Sequence, residues 1–210
     1  MAAELGAEAE PCDVADRAQV DRVAAAVGER HPAVHLLANN AGIPGRGGFL
    51  ELPAERIEEV VRINYLGSVW CLRAFLPLLE AGAPADVVNV SSVAGTVAFG
   101  PSGPYSASKH AQLAFSRNVT AELAPRRIRV HSVNPTFTET EGFPQTRFAG
   151  RDWARRLVMT PERVADAIVG AVENGRVETF VPAAYRVFAA AQAVAPASLA
   201  RLATRVGRWP

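Results

Sequence analysis

The chain has 210 residues, of which 49% are hydrophobic and 20% are charged, and its formal net charge is +1. This length and composition indicate one globular domain with a sizeable core and exclude a disordered chain. A charge so close to zero gives no support for nucleic-acid binding. No apolar run reaches the roughly 20 residues that a membrane-spanning helix needs, so we expect no such helix.

The cysteines and the first residues bear on the cell compartment. Cys12 and Cys71 show neither metal-ligand spacing nor a disulfide framework, and we interpret them as reduced packing residues. Residues 1–16 are acidic and lack the basic flank and apolar core of a secretory signal. The sequence therefore predicts a cytoplasmic protein.

Short apolar runs alternate with longer amphipathic stretches, which is typical of a parallel α/β sheet. The runs are continuously apolar, so we expect helices on both faces of the sheet. The predicted strands are 33–38, 86–90, 128–133 and 178–182, with a further short strand at 9–12. The predicted helices are 15–28, 53–80, 103–124 and 161–174, and Asp13 or Asp16 and Thr160 are candidate caps.

Tyr105 and Lys109 stand four residues apart in a predicted helix, so they share one helix face. Lys109 is the single lysine among 22 basic residues. A phenol with a pKa of about 10 is a poor acid or base near neutrality, and a neighbouring ammonium group lowers that pKa. The pair predicts a tyrosine tuned for proton transfer, although the same spacing also arises often by chance.

Three further polar features lie at the ends of strands or inside a helix. Ser92 follows the second strand, where its hydroxyl either reaches a ligand at the sheet edge or caps the next turn. Asn64 interrupts the long second helix, and a buried amide there needs hydrogen-bond partners, with a purely structural role as the alternative. Gly42 ends an Asn-Asn-Ala-Gly turn after the first long strand. The glycine either lets the backbone approach a ligand closely or simply belongs to an ordinary turn.

The order and spacing of these motifs resemble the short-chain dehydrogenase/reductase family over about residues 5–180. In chain order the motifs are Asp13-Val14, Asn39-Asn40-Ala41-Gly42, Asn64, Ser92, Tyr105, Lys109 and Pro135. The resemblance implies a Rossmann-like, doubly wound parallel sheet. It also implies that residues 1–182 form the domain and that residues 183–210 are its C-terminal helical tail.

The resemblance implies an NAD(P)(H)-dependent oxidoreductase that interconverts a secondary alcohol and a ketone or other carbonyl by hydride transfer. Tyr105 would be the acid/base, and Lys109 would lower the pKa of Tyr105 and hold the nicotinamide ribose. Ser92 would orient the carbonyl, and Asn64 would anchor a water of the proton relay.

The same resemblance assigns contacts to the cofactor, which would be NAD or NADP. Asp13 and Val14 would meet the adenine, and Asn40, Ala41 and Gly42 would meet the adenosine ribose. The loop 135–140, with Pro135, Thr138 and Thr140, would meet the nicotinamide amide, while Tyr105 and Lys109 would contact the nicotinamide ribose. The family usually has glycine after this proline, where Thr136 stands here.

Family members open with a strand, a Thr-Gly-x-x-x-Gly-x-Gly turn and a helix that receives the pyrophosphate. No such turn precedes Asp13, and Gly45, Gly47 and Gly48 come in a later loop. We therefore expect the first two strands of the family's sheet to be absent, through a truncated reading frame or a natural short form. Strand 9–12 would be orphaned, strand 33–38 would be an apolar edge, and NADH or NADPH would bind weakly.

Family habit implies a homodimer or homotetramer that pairs through helices 53–80 and 103–124. The aromatic residues of segment 137–153 favour an apolar alcohol or carbonyl substrate, with residues 99–103 also shaping the pocket. The alternative function is a cofactor-deficient, non-catalytic dimerisation partner, while an epimerase or dehydratase would need a longer tail. The basic tail could lie on a membrane surface, but a cover over the pocket or a subunit contact is the preferred interpretation.

Overall fold

A computed structural model describes residues 3–98, 103–140 and 158–198 and residue 201. Within these residues the chain forms six α-helices and four β-strands. The helices are α1 (Arg17–Arg30), α2 (Ala54–Val61), α3 (Gly67–Ala81), α4 (Gly103–Leu123), α5 (Pro161–Glu173) and α6 (Arg186–Val194). The strands are β1 (Leu36–Asn39), β2 (Ala85–Val90), β3 (Ile128–Pro135) and β4 (Glu178–Val181).

The four strands form one parallel sheet in the order β1-β2-β3-β4. In its register Asn39 pairs with Asn89, and Asn89 pairs with Ser132. Because parallel strands all run the same way, their carboxyl ends share one edge of the sheet. The ends of β1, β2 and β3, at Asn39, Val90 and Pro135, therefore lie side by side.

Helices cover both faces of the sheet. Because side chains alternate along a strand, Val87 of β2 packs with α3 and α4, while Val88 and Val90 pack with α5 on the other face. Buried residues of the first cluster include Leu72, Leu79, Val119 and Leu123, and those of the second include Val133, Val164 and Ala171. This arrangement confirms the predicted doubly wound parallel α/β fold.

Two predictions concern the edge of the sheet, namely a strand at 9–12 and an apolar edge at 33–38. Residues 9–12 form no strand, so that prediction is wrong, and the reason is physical: an extended segment without a neighbouring strand has no ladder to join. The expected apolar edge is present in β1, where Leu36 is 49% exposed. Cys12 is exposed, so its interpretation as a packing residue is wrong, whereas Cys71 is half-buried.

The long helix predicted at 53–80 is interrupted. A π-helical turn, Arg62–Leu66, separates α2 from α3 and contains Asn64. The backbone N–H of Gly67 donates to the carbonyl of Arg62, five residues earlier. Such π-helical turns are rare and occur frequently at functional sites.

The predicted helix boundaries are otherwise close to the observed ones. Asp16 caps α1, since its carboxylate accepts hydrogen bonds from the backbone of Ala18 and Gln19. Thr160 holds the N-cap position of α5 without a side-chain capping bond. In the tail, α6 exposes Phe188. No helix in the described ranges is both long and apolar enough to cross a membrane.

Candidate active site

The first pair of candidate residues meets where β2 and β3 end. Ser92 follows β2, and its hydroxyl donates to the carbonyl of Pro135 at 3.4 Å and accepts from the backbone N–H of Ala94 at 3.1 Å. Tyr105, in the first turn of α4, shares a side-chain hydrogen bond with Ser92. The structure therefore brings Ser92 and Tyr105 together at the carboxyl edge, while Ser92 also caps the next turn.

The ionisation of Tyr105 differs from the sequence-based expectation. Burial raises the pKa of Tyr105 above its ordinary value of 10.0, and the hydrogen bond with Ser92 opposes this rise only in part. The lowering predicted from the neighbouring Lys109 is wrong for this structure. The cause is that a buried phenol disfavours its charged form, while the ammonium has other partners.

Lys109 lies one turn further along α4 and is only 3% exposed. Its ammonium donates to the carbonyl of Val90 at 2.9 Å and to Oε1 of Gln112 at 2.9 Å. Burial lowers the pKa of Lys109 from 10.5 to about 7. The ammonium is therefore fixed at the end of β2, beside the residues that follow it.

Two members of this cluster were missed in the sequence. Gln112 is fully buried, and its Nε2 donates to Oγ of Ser68 on α3 at 2.8 Å. The available signal was a polar residue three positions after Lys109, on the same face of a helix predicted to be packed. Nothing in the sequence indicated that Ser68 would face it.

Asn64 connects the turn after β1 to α4. Its Oδ1 accepts from the N–H of Ile43 at 2.8 Å, and its Nδ2 donates to the carbonyl of Ile43 at 3.0 Å and to Oγ of Ser108 at 3.1 Å. Ser108 in turn donates to the carbonyl of Tyr105 at 2.8 Å. The side chain thus has the structural role named as its alternative, and its part in a water relay stays a prediction.

The turn after β1 reaches the lysine. A Cβ added to Gly42 would lie 3.4 Å from Oδ1 of Asn64 and 3.7 Å from Nζ of Lys109. Asn40 and Ala41, just before it, are exposed at the carboxyl edge. The bare Cα of Gly42 therefore lies close to both the amide of Asn64 and the ammonium of Lys109.

Val14 lies beside the start of α3. A Cβ added to Gly67 would come within 2.9 Å of Cγ2 of Val14, so glycine permits this close approach. Asp13 is exposed, and its carboxylate accepts a hydrogen bond from the N–H of Ala15 at 2.9 Å. Val14 therefore borders the helix that follows the Asn64 turn, while Asp13 bonds within the turn before α1.

The end of β3 and the residue that follows it carry spare hydrogen-bonding capacity. Both amide atoms of Asn134 and Oγ1 of Thr136 are buried and have no hydrogen-bond partner in the described part of the chain. They flank Pro135, which is buried, while Thr138 is half-buried and Thr140 is exposed. Unsatisfied buried donors and acceptors at this edge fit a polar ligand group such as a carboxamide.

The described residues include no group of three or more His, Cys, Asp or Glu that could hold a metal ion. The polar groups along the end of the parallel sheet are hydroxyls, amides, backbone groups and one ammonium, which are groups that fit a nucleotide. Most of the segments expected to shape the substrate pocket, 99–103 and 137–153, lie outside the described residues.

A parallel sheet covered on both faces, with polar side chains gathered at its carboxyl edge, defines a Rossmann-like α/β protein. The family model described as short chain dehydrogenase matches residues 1–148. The chain therefore belongs to the short chain dehydrogenase family.

Curated relatives agree with this membership. The chain is 33% identical over 174 residues to a 1-deoxy-11-beta-hydroxypentalenate dehydrogenase of Streptomyces exfoliatus, covering 80% of this chain and 62% of the relative. It is 31% identical over 179 residues to an uncharacterized NAD-dependent oxidoreductase of Mycobacterium tuberculosis, covering 78% of this chain and 65% of that one. The chain thus spans slightly less than two thirds of the length of these two relatives.

Solved structures agree as well. A short chain dehydrogenase of Burkholderia cenocepacia in complex with NADP has a TM-score of 0.76 and 31% identity, covering 90% of this chain and 76% of that one. A short-chain dehydrogenase of Streptomyces avermitilis has a TM-score of 0.79 and 26% identity, covering 98% and 83%. These similarities confirm the predicted fold.

Proposed function

We propose that this chain carries the catalytic part of an NAD(P)(H)-dependent oxidoreductase that interconverts a secondary alcohol and a ketone or other carbonyl. The observation that carries the proposal is the hydrogen bond between Tyr105 and Ser92 at the carboxyl edge, with Lys109 one turn along α4. The NADP bound to the Burkholderia relative and the name of the Mycobacterium relative support NADP or NAD as cofactor.

In the reduction, the Ser92 hydroxyl holds the carbonyl oxygen of the substrate. Tyr105 donates its phenolic proton to that oxygen while the carbonyl carbon accepts a hydride, so the C=O bond becomes CH–OH and the phenol becomes a phenolate. The nicotinamide supplies the hydride when it is bound. In the oxidation the same atoms move in reverse.

The ionisation of the two helix residues sets the starting state for proton transfer. Because burial raises the pKa of Tyr105, the phenol is protonated at neutral pH and holds the proton to be donated. Lys109, whose pKa burial lowers to about 7, keeps its proposed contact with the nicotinamide ribose.

The residues proposed to hold the cofactor include members of the turn after β1, the start of α4 and the end of β3. Asn64 supports the site by tying the turn after β1 to α4. The proposed contacts to NAD or NADP are Asp13, Val14, Asn40, Ala41, Gly42, Tyr105, Lys109, Pro135, Thr138 and Thr140.

The proposal extends to the substrate and to the assembly. An apolar alcohol or carbonyl compound is the proposed substrate, and a homodimer or homotetramer is the proposed assembly. Exposed apolar side chains on and near α6, such as Val187 and Phe188, support a role of the tail in covering a pocket or a subunit contact. Sedimentation of the chain tests the assembly.

The activity is tested by replacing one hydroxyl. With NADH and NADPH and a panel of apolar ketones, Tyr105→Phe is expected to lower turnover by about 100-fold to 10,000-fold, because the proton donor is lost. Tyr65→Phe is the matched control, since Tyr65 packs edge-on against Phe115 and keeps its ring in the variant. Equal turnover in Tyr105→Phe and Tyr65→Phe would contradict the proposal.

A second outcome of the same experiment distinguishes the enzyme from the alternative function. A folded wild-type chain that turns over none of the ketones with either cofactor, yet sediments as a dimer, would favour the non-catalytic dimerisation partner. Turnover that depends on Tyr105 would exclude that alternative.

A further inference from the structure

The cluster around Lys109 contains a side chain, Gln112, that has no part in the proposed chemistry. Gln112 lies three residues after Lys109 on α4 and accepts a hydrogen bond from its ammonium at 2.9 Å. The other end of the Gln112 amide donates to the hydroxyl of Ser68 on α3 at 2.8 Å. All three side chains are buried.

We propose that Gln112, anchored by Ser68, is a positioning residue that holds the Lys109 ammonium at the carboxyl end of β2. The reason for holding Lys109 at this position rests on the proposed function, in which the lysine would contact the nicotinamide ribose. Gln112 touches neither substrate nor cofactor and acts through the lysine.

The orientation of the amide is the physical reason. A primary amide presents an oxygen acceptor at one side and an NH₂ donor at the other, and only the oxygen attracts an ammonium. The hydroxyl of Ser68, which accepts from Nε2, favours the orientation that turns Oε1 toward Lys109. Without Ser68 the amide could turn its donor toward the ammonium, so Ser68 secures the orientation from the neighbouring helix.

Within the described ranges, Gln112 is the one side chain that accepts a hydrogen bond from the ammonium. On β2, the carbonyl of Val90 accepts the second N–H at 2.9 Å. On the turn after β1, the bare Cα of Gly42 lies close to Nζ. Along α4 the nearest titratable residues are His110, which is exposed, and Tyr105. No carboxylate of the described residues acts on the lysine, whose pKa is lowered by burial.

The test uses the fact that Lys109 is the only lysine of the chain. Protein grown with ¹³C-labelled lysine gives one side-chain Cε signal, and its chemical shift followed against pH measures the pKa of Lys109 directly. No turnover is needed. The variants are Gln112→Leu, Gln112→Glu and Ser68→Ala, and the matched control is Ser116→Ala, a buried hydroxyl of α4 that bonds Asn89 and Ser132 instead of Lys109.

Loss of the acceptor disfavours the charged form, so Gln112→Leu is expected to lower the pKa of Lys109 by about one pH unit. Ser68→Ala is expected to lower it by a smaller amount, and Gln112→Glu is expected to raise it, because a carboxylate keeps an acceptor and adds a charge. Ser116→Ala should leave it unchanged. Where Gln112→Leu fails to fold, Gln112→Glu and Ser68→Ala decide the question by the same measurement.

An unchanged titration of Lys109 in folded Gln112 and Ser68 variants would overturn the proposal and assign Gln112 to packing alone. An equal shift in Ser116→Ala would overturn it too, because the effect would then follow any buried hydroxyl. These results stay separate from the proposed function, since a chain without turnover still reports the pKa of its lysine.

Discussion

The Asp86 cluster and the Lys109 cluster both place charged side chains against strand β2. The first comprises Asp86, Arg129 and His131, in the amino-terminal and middle parts of β2 and β3. The second comprises Lys109 and Gln112 of α4 with the carbonyl of Val90 at the carboxyl end of β2. The two clusters differ in how their charge is compensated.

The Asp86 cluster is ionically compensated. Arg129 donates two hydrogen bonds to the Asp86 carboxylate at 2.8 and 2.9 Å, and Nε2 of His131 lies 2.8 Å from the same carboxylate. Burial raises the pKa of Asp86, but the hydrogen bonds from Arg129 and His131 outweigh it, so the pKa is lowered overall. The carboxylate therefore stays charged throughout the neutral range.

In the part of the chain that the structure describes, the ammonium of Lys109 has only neutral acceptors, Gln112 and the carbonyl of Val90. Its burial is uncompensated, which is why the pKa of Lys109 falls to about 7 while that of Asp86 moves away from neutrality. The buried charge of Asp86, which stabilises the fold, is thus paired with a group of opposite charge. The buried charge of Lys109, at the candidate active site, has no such partner among the described residues. Perturbed ionisation without a counter-ion is typical of functional sites.

Breaking the compensated cluster should have the largest effect on stability. Asp86→Ala leaves the buried Nε2 of His131 without its partner, and we expect the free energy of unfolding to fall by about 3 kcal/mol. Arg129→Ala is the matched control, because Arg129 is largely exposed and its loss should cost less than about 1 kcal/mol. Urea denaturation at pH 7 measures both, and equal losses would show that His131 needs no partner.

The same cluster predicts a dependence on acid. Because the folded-state pKa of Asp86 is lowered, its contribution is complete above the ordinary pKa near 4 and is lost as the pH falls through the folded-state pKa. The wild type should therefore lose stability more steeply than Asp86→Ala as the pH falls below about 4. Urea midpoints between pH 5 and pH 3 measure this, and parallel curves would contradict it.

Removing the proton of Lys109 should increase the stability of the chain, whereas breaking the Asp86 cluster decreases it. In the folded chain Lys109 releases its proton near pH 7, whereas an unfolded lysine does so near 10.5, so the folded state binds fewer protons in between. The free energy of unfolding should rise by about 2 kcal/mol from pH 7 to pH 9 in the wild type. Lys109→Met should lack this rise.

The wild type and Lys109→Met are compared only up to pH 9, because a second buried group titrates above it. Burial raises the pKa of Cys71 from 9.0 to about 11, so above pH 9 the thiol changes stability in the opposite direction. A wild-type curve that is flat or falling between pH 7 and pH 9, when measured against Lys109→Met, would contradict the buried ammonium.

A smaller effect is expected where the backbone of the site is tightly packed. A Cβ on Gly95 would lie 2.8 Å from the carbonyl oxygen of Lys109 and 3.0 Å from Oγ of Ser91, so Gly95→Ala should destabilise the chain by about 1 to 2 kcal/mol. Gly170→Ala is the matched control, because nothing lies within 4 Å of a Cβ there and alanine favours helix α5 by about 0.5 to 1 kcal/mol. Thermal unfolding compares the two, and a stabilised Gly95→Ala would show that the packing relaxes easily.

Much of the fold was predictable because it depends on local patterns. Four strands and four helices were predicted within a few residues of their observed bounds, since apolar runs and helical periodicity are properties of neighbouring residues. The spacing of Tyr105 and Lys109 places them on one helix face for the same reason. The strand predicted at 9–12 failed because a strand depends on a neighbour that lies elsewhere in the chain.

The sequence predicted which residues form the candidate site better than it predicted their ionisation. Ser92, Asn64 and Gly42 were found from their places beside strands and inside a helix, but the direction of the pKa of Tyr105 was not. That direction depends on burial and on where the ammonium of Lys109 points, which are properties of the packed molecule.

The sequence by itself determined the alternation of strands and helices and the residues that gather at the carboxyl edge of the sheet, because periodicity and spacing are written in the order of residues. Only the tertiary structure decided the π-helical turn at Arg62–Leu66 and the contacts of Gln112 with Ser68 and of His131 with Asp86. These pairs are 44 and 45 residues apart along the chain. Their hydrogen bonds form only when separate elements pack together and exclude water.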